Sequence, residues 1–310
     1  MGKVERVLFL GSKEIGFKSL STLHSIEKKT IVGIITIDDS ADERSVLNKF
    51  IEFSKINKIP LTIAKDRENA DRLVRVYNPD LCIVIGWYWL IKKEVLDSVP
   101  YGFIGVHNSL LPKYRGGSPL VWAIINGEEK VGFTIFSFSE GIDDGPVWGQ
   151  VSIEISNTES IAEILDKFER ETVEFLKKIF PLILDDSIKP TPQNENESTY
   201  CSQRIPEDGA IDWSHSSIKI HNFIRAQSKP YPGAFTYIKG KKLTVLDTIP
   251  LDIIYFGTPG QIARIDHNGV WVICGDQKPL ILKVVQYDSD TNLAAQDVIR
   301  SINIRFNSMS

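Results

Sequence analysis

The chain is poor in the residues that build disulfide or metal scaffolds: among 310 residues only three are cysteine, Cys82, Cys201 and Cys274, odd in number and far apart. That pattern shows neither a disulfide framework nor a paired metal-ligand spacing, so the thiols are expected to be reduced. No apolar stretch approaches the roughly 18 residues of a membrane span. The opening "MGKVERVLFLGSKEIG" has no small-residue cleavage site after its short apolar segment, which leads to the expectation of a cytoplasmic protein. Neither sign of charge dominates. With 36 Lys and Arg against 40 Asp and Glu the formal net charge is -4, which disfavours a broad electrostatic footprint for nucleic acid. No internal repeat is visible.

What is present is the composition of a globular protein, 42% hydrophobic and 25% charged. "RVLFL", "TIVGIITI" and "LCIVIG" are short, continuously apolar and rich in β-branched residues, as strands covered on both faces should be. Between them "SKEIGFKSLSTL", "RSVLNKFIEFSKIN" and "ENADRLVRVYN" read as helices, and the alternation implies a parallel sheet with helices on both faces. The first turn, "LGSKEIG", matches neither G-x-G-x-x-G nor a phosphate loop, so nucleotide binding there has little support. "GFTIFSF" and "GPVWGQVSIEI" predict two more strands. A long helix follows, with a capping box at Ser160 and Glu163 and a packing stripe through Ile161, Ile164, Leu165, Phe168, Leu176 and Ile179.

"DDSIKPTPQNENESTY" is polar and holds two prolines, which makes it the linker candidate. Beyond it the texture changes to "SSIKIHNFIRAQ", a helix, and then the short strands "AFTYI", "KKLTVLDT", "GQIARI", "GVWVICG" and "LILKVVQ". The predicted division is a first domain over residues 1–184, a linker over 185–204 and a small β-rich domain over 205–310.

Ligands of open α/β sheets bind at the carboxyl ends of the strands, and "FIGVH" would deliver His107 to that edge. A lone histidine is more often structural than reactive. Here it is followed by a loop, "SLLPKYRGGSP", that places proline, paired glycines and Arg115 just past a buried strand, where function concentrates. A second turn, "SEGIDDGP", supplies Asp143 and Asp144, and a carboxylate brought to His107 would orient the ring.

"HNSLLPKYRG", then "PLVWAIINGEEKVGFTIF" and "EGIDDGP", resembles the folate-dependent formyltransferases: methionyl-tRNA formyltransferase, the nucleotide-sugar N-formyltransferases and, more distantly, glycinamide ribonucleotide formyltransferase. "IPEDGAIDW", "IHNFIRAQSKPYPGAFTY" and "KKLTVLD" extend the resemblance over essentially the whole chain. It implies an α/β fold with a Rossmann-like, open, mostly parallel sheet in the N-terminal domain and a small β-rich open-barrel (OB-like) domain after it. It implies 10-formyltetrahydrofolate as cosubstrate, a primary amine as acceptor, and no metal. His107 and Asp143 match the family's catalytic histidine and aspartate; Asp144 falls where the family has a small residue and is given no role. The family's asparagine, two positions before the histidine, is replaced by Gly105, and Asn108 is the nearest amide that could take its place if the backbone turns after the strand.

The resemblance further implies a folate site at Ile85, Gly86, Trp87, Tyr88, Leu90, Ser139, Gly141 and Ile142, and an acceptor site at Ser12, Lys13, Ser109, Lys113, Tyr114 and Arg115. In the transfer-RNA enzyme a basic loop follows the second strand; the corresponding "TIDDSADERSVLNKF" is more acidic than basic. The favoured acceptor is therefore a nucleotide-linked aminodeoxysugar, with methionyl-tRNA formylation as the alternative. A formyltetrahydrofolate hydrolase and a non-catalytic folate or sugar binder are further alternatives, and a homodimer is one assembly left open.

Overall fold

The computed structural model describes residues 4–287 and 290–306. It divides into one unit of Met1–Pro119, Gly132–Ile153 and Asp166–Cys201 and a second of Leu120–Val131, Glu154–Leu165 and Ser202–Ser310.

The chain opens with the alternation that its apolar runs predict: β1 (Val7–Gly11), α1 (Lys13–Ile26), β2 (Ile31–Ile37), α2 (Leu47–Asn57), β3 (Leu61–Ala64), α3 (Arg67–Tyr77), β4 (Leu81–Ile85), α4 (Lys93–Leu96) and β5 (Phe103–His107). A two-residue strand β6 (Arg115–Gly116), helix α5 (Pro119–Ile125), β7 (Lys130–Ser137), β8 (Val147–Glu154), α6 (Ile161–Leu184) and a second short strand β9 (Tyr200–Cys201) follow. Seven strands form one sheet in the order β3-β2-β1-β4-β5-β7-β8. β1 to β5 pair in parallel, and β7 runs antiparallel to β5.

Every residue of β1 and β4 is buried, which is why neither strand shows polar alternation. Successive side chains still point to opposite faces. Val7 and Phe9 pack with Leu20, Leu23, Phe50 and Phe180, so α1, α2 and α6 cover one face; Leu8 and Leu10 pack with Ala70, Val74 and Val95, so α3 and α4 cover the other. Because β1 has β2 on one side and β4 on the other, the chain leaves it in both directions, and the carboxyl ends of β1 and β4 flank the switch point where such sheets bind ligands. The Ser12 hydroxyl donates to the Gly86 carbonyl at 2.5 Å, tying those two strand ends together.

The capping box of α6 is present: Ser160 N–H donates to Glu163 Oε2 at 2.8 Å and Glu163 N–H to Ser160 Oγ at 3.4 Å. Ile161, Ile164, Phe168, Leu176 and Ile179 of its stripe are all buried.

In the second unit, α7 (Ser217–Arg225) precedes β10 (Ala234–Ile238), β11 (Lys241–Pro250), β12 (Ile262–Asp266), β13 (Gly269–Ile273), β14 (Pro279–Tyr287), β15 (Leu293–Ala294) and α8 (Ala295–Val298). The sheet order is β10-β11-β14-β13-β12, with β15 on β14, and the pairs are antiparallel. Among the described residues β10 and β12 do not join, so this sheet stays open, as expected of an open-barrel domain. Its core gathers Ile220, Ile224, Leu243, Val245, Val272 and Leu282. No helix of the described residues is long and apolar enough to cross a membrane.

Candidate active site

β5 ends at His107, beside β4 on one edge and opposite Thr134 of β7 on the other. The strand therefore holds the histidine on the ligand edge of the sheet, where it is 8% exposed. Its Nε2 lies 2.8 Å from the Tyr114 carbonyl, an acceptor, so Nε2 carries a proton and donates. Its Nδ1 lies 3.5 Å from Asp143 Oδ2. A neutral ring with its proton on Nε2 would face that carboxylate with a lone pair.

Asp143 sits in the turn after β7 with φ +49°. Its Oδ2 accepts the Gly116 N–H at 2.8 Å, and its carbonyl accepts from Gln193 Nε2 at 2.8 Å. Gln193 Nε2 also donates to Gly145 O at 2.7 Å, while its Oε1 accepts from Arg115 Nε at 3.1 Å and Nη2 at 2.8 Å. One amide thus pins the aspartate turn to the histidine loop.

Arg115 is completely buried. Its guanidinium donates to Glu195 at 2.7 and 2.8 Å and to the Tyr200 hydroxyl at 3.1 Å. Glu195 raises the guanidinium above its ordinary value, and Arg115 in turn holds the Glu195 carboxyl below the usual carboxylate range. β6 pairs in parallel with β9, which lays residues 199–201 along the loop. Gly116 is required there: its φ is +100°, and a Cβ would meet the Cys201 carbonyl at 2.5 Å. The segment read from sequence as linker therefore supplies the partners of a buried cation.

Ser109 is buried and donates to Lys113 O at 2.6 Å, closing the loop on itself; Lys113 is exposed. Tyr114, at φ +58°, presents its carbonyl to His107. Arg115, expected from sequence at the acceptor, is turned inward, because a buried guanidinium needs its carboxylate and amide partners. Ser12 is buried against Gly86, and Lys13 is ion-paired to Asp39 at 2.7 Å and Asp42 at 2.8 Å. Both are committed to neighbouring loops, Ser12 to the one after β4 and Lys13 to the one after β2. Asn108 is exposed immediately after the strand.

Gly105 has a packing reason. A Cβ there would lie 2.4 Å from the Phe138 ring and 3.0 Å from the Val84 carbonyl. A row of rings, Phe103, Phe138 and Phe136, leads to His107 with successive centroid distances of 6.5, 5.3 and 6.1 Å. The space a side chain at 105 would take is filled with aromatic carbon.

Of the residues expected at the folate site, Ile85 is buried, Gly86 takes φ +70°, and Trp87 meets Trp89 edge to face at 5.4 Å against the core. Trp87 is thus a wall from within. Tyr88, Leu90 and Ile142 are 55%, 78% and 60% exposed, apolar surface on the loops after β4 and β7. Lys93 and Glu140 pair at 2.8 Å between those loops. The Ser139 hydroxyl donates to Asp144, whose carboxylate lies over Gly141, so Asp144 braces the turn. Sequence reasoning missed Gln193, Glu195, Tyr200 and Phe138. No group of three or more His, Cys, Asp or Glu among the described residues is placed to hold a metal ion.

Residues 5–179 match the formyl transferase family, and residues 204–303 match the formyl transferase C-terminal domain. The chain belongs to the formyl transferase family. This formyltransferase is 33% identical over 300 residues to methionyl-tRNA formyltransferase of Acetivibrio thermocellus, covering 95% of the chain and 96% of that relative. Its fold is that of WlaRD, a sugar 3N-formyl transferase crystallised with dTDP and 5-N-formyl-THF: TM-score 0.70, 20% identity, 94% of this chain and 100% of that one. The N-formyltransferase from Helicobacter canadensis, in complex with folinic acid and dTDP-3-aminofucose, aligns with TM-score 0.70 at 18% identity over 91% of this chain and 99% of that one. The two family models accordingly fall on the open α/β part and on the small antiparallel part of the chain.

Proposed function

We propose that this formyltransferase moves a formyl group from 10-formyltetrahydrofolate to the primary amine of a nucleotide-linked aminodeoxysugar. The observation that carries the choice of acceptor is the loop after β2. Asp39 and Asp42 close on Lys13, and Arg44 is taken up by Asp42 at 2.7 Å, so the loop offers no surplus of cation to a phosphate backbone. The folds of the sugar-nucleotide enzymes support the same reading. One observation favours methionyl-tRNA as the second reading: the full-length 33% identity to a methionyl-tRNA formyltransferase.

The chemistry forms a nitrogen–carbon bond between amine and formyl group, breaks the bond to folate N10, and moves one proton from the amine to the departing nitrogen. His107 is the proton carrier. Both of its nitrogens face protein groups, so the amine reaches the ring by taking the place of the Tyr114 carbonyl at Nε2, and Nε2 accepts its proton with the ring's own proton on Nδ1, toward Asp143. Asp143 orients the ring through Nδ1. Asn108 is assigned to the developing oxyanion, since position 105 has no side chain and its space belongs to Phe138. Tyr88, Leu90 and Ile142 provide apolar surface for the pterin.

The test is 10-formyltetrahydrofolate consumption with no acceptor, with a panel of nucleotide aminosugars, and with methionyl-tRNA at two salt concentrations. Turnover on one sugar, insensitive to salt, is expected. Turnover on transfer RNA alone, falling steeply with salt, overturns the choice of acceptor.

A further inference from the structure

The second unit contains a cavity of about 240 Å³, lined by buried Ile125, Ile211 and Ile220 and by half-buried Trp122, Phe223 and Arg204. The Arg204 guanidinium lies over both rings, 5.0 Å from the centroid of Trp122 and 5.5 Å from that of Phe223. Of its three nitrogens only Nη2 is engaged, donating to the Asp208 carbonyl at 2.7 Å and to Gln227 Oε1 at 3.1 Å. The N–H groups on Nε and Nη1 are unused, and among the described residues no carboxylate comes within ion-pair distance. Burial pulls this guanidinium below its ordinary value, while it remains a cation.

Two acids also line the cavity; each accepts a backbone N–H, and Asp208 also acts on Arg204 through its charge. Asp208 Oδ2 accepts from Ile205 N–H at 2.9 Å, and Asp212 Oδ1 accepts from Ser214 N–H at 2.9 Å. The second oxygen of Asp212 lies 3.8 Å from His215. Lys219 adds another cation to the lining. Arg115 in the first unit shows what this chain does with a guanidinium it keeps for itself: it supplies a carboxylate. Arg204 has none.

We infer that this cavity is a binding site for a small organic acid, its carboxylate accepting from the unused N–H groups of Arg204 and its ring resting on the isoleucines. A cavity of this size has room for a single ring and its carboxylate. A half-desolvated cation between aromatic faces is completed by an anion, and the apolar lining selects one with a hydrocarbon body over a fully hydrated one.

The experiment follows the Trp122 indole N–H, which donates to Ser202 O at 2.8 Å, in a two-dimensional nitrogen–proton spectrum of the full chain, assigned with Trp122→Phe. Benzoate, neutral benzamide and inorganic phosphate are titrated separately. Benzoate is expected to shift the signal saturably, with benzamide and phosphate each about tenfold weaker or more, and Arg204→Gln is expected to weaken benzoate by about tenfold or more. Absence of saturation by tens of millimolar benzoate overturns the site, as does equal binding of benzamide or an unchanged affinity in Arg204→Gln. Phosphate binding as well as benzoate overturns the assignment to an organic acid. Should Arg204→Gln fail to fold, the comparison of benzoate with benzamide on the native chain decides alone. No turnover is measured, so failure here is distinct from failure of the proposed reaction.

Discussion

Replacing Gln193 by alanine should loosen the aspartate turn from the histidine loop. The side chain makes four hydrogen bonds: two from Nε2 to the carbonyls of Asp143 and Gly145, and two accepted by Oε1 from Arg115. A neutral bond contributes about 1 kcal/mol net and one to a charged group somewhat more, but Arg115 keeps its bidentate Glu195, so the loss is about 3 kcal/mol rather than the sum of four. For a unit of this size that lowers its melting temperature by about 6–12 °C. Activity should fall further than stability explains, because Asp143 depends on Gln193 for its carbonyl anchor, and misplacing a catalytic group by about 1 Å costs on the order of a hundredfold. Gln193→Glu retains the contact to Arg115 but turns a carboxylate toward two carbonyls. It should therefore lower kcat as much as alanine does while losing less stability. Calorimetry with steady-state kinetics on both variants checks this. A shift under about 1 °C with unchanged kcat would refute the reasoning.

His107→Ala should reduce turnover by about 10²- to 10⁴-fold while leaving folate binding by equilibrium dialysis unchanged; retained turnover would remove the histidine from the mechanism. Gly105→Asn should destabilise the first unit by about 1–3 kcal/mol, because the new side chain meets Phe138, and Phe138→Ala in the same chain should recover part of it. Burial, followed by the charge of Asp143, pushes the Cys201 thiol up to about 11, so its alkylation near pH 8 should be roughly a hundredfold slower in the folded chain than in the unfolded one. Labelling of Cys201 at the free-thiol rate, read by peptide mass, would contradict that. Glu195 has its folded value depressed by Arg115, so its contribution is complete above the unfolded carboxyl value and is lost as pH falls through the folded one. The melting-temperature gap between the native chain and Glu195→Gln should accordingly close on acidification, and a gap that persists in acid would refute the pairing.

The parallel sheet was legible because β1, β2, β4 and β5 are short apolar runs whose burial on both faces needs no partner to be recognised. β3 was not: four residues, "LTIA", carry too little pattern, and pairing with β2 rather than local preference makes them a strand. The same holds more strongly for β6 and β9, two residues each, whose register joins positions 115 and 200. That pairing is why the linker reading of 185–204 caught the polar composition and not its purpose. "PQNENESTY" looks solvated until a buried Arg115 is placed beside it, and burial of an arginine has no local signature. His107 was legible as the end of an apolar strand and Asp143 only through the family resemblance, and the structure places the two 3.5 Å apart. Arg115 was found for the wrong task, since a guanidinium in a loop reads equally as a ligand for substrate or for its own chain.

The central claim is the identity of the amine. The most direct test is one reaction containing 10-formyltetrahydrofolate, a nucleotide aminosugar and methionyl-tRNA in competition, with products resolved by mass. The account predicts that the added carbonyl unit appears on the sugar, and that His107→Ala slows its appearance by about 10²- to 10⁴-fold. Formyl appearing on the methionyl group, with the sugar untouched, would contradict the account.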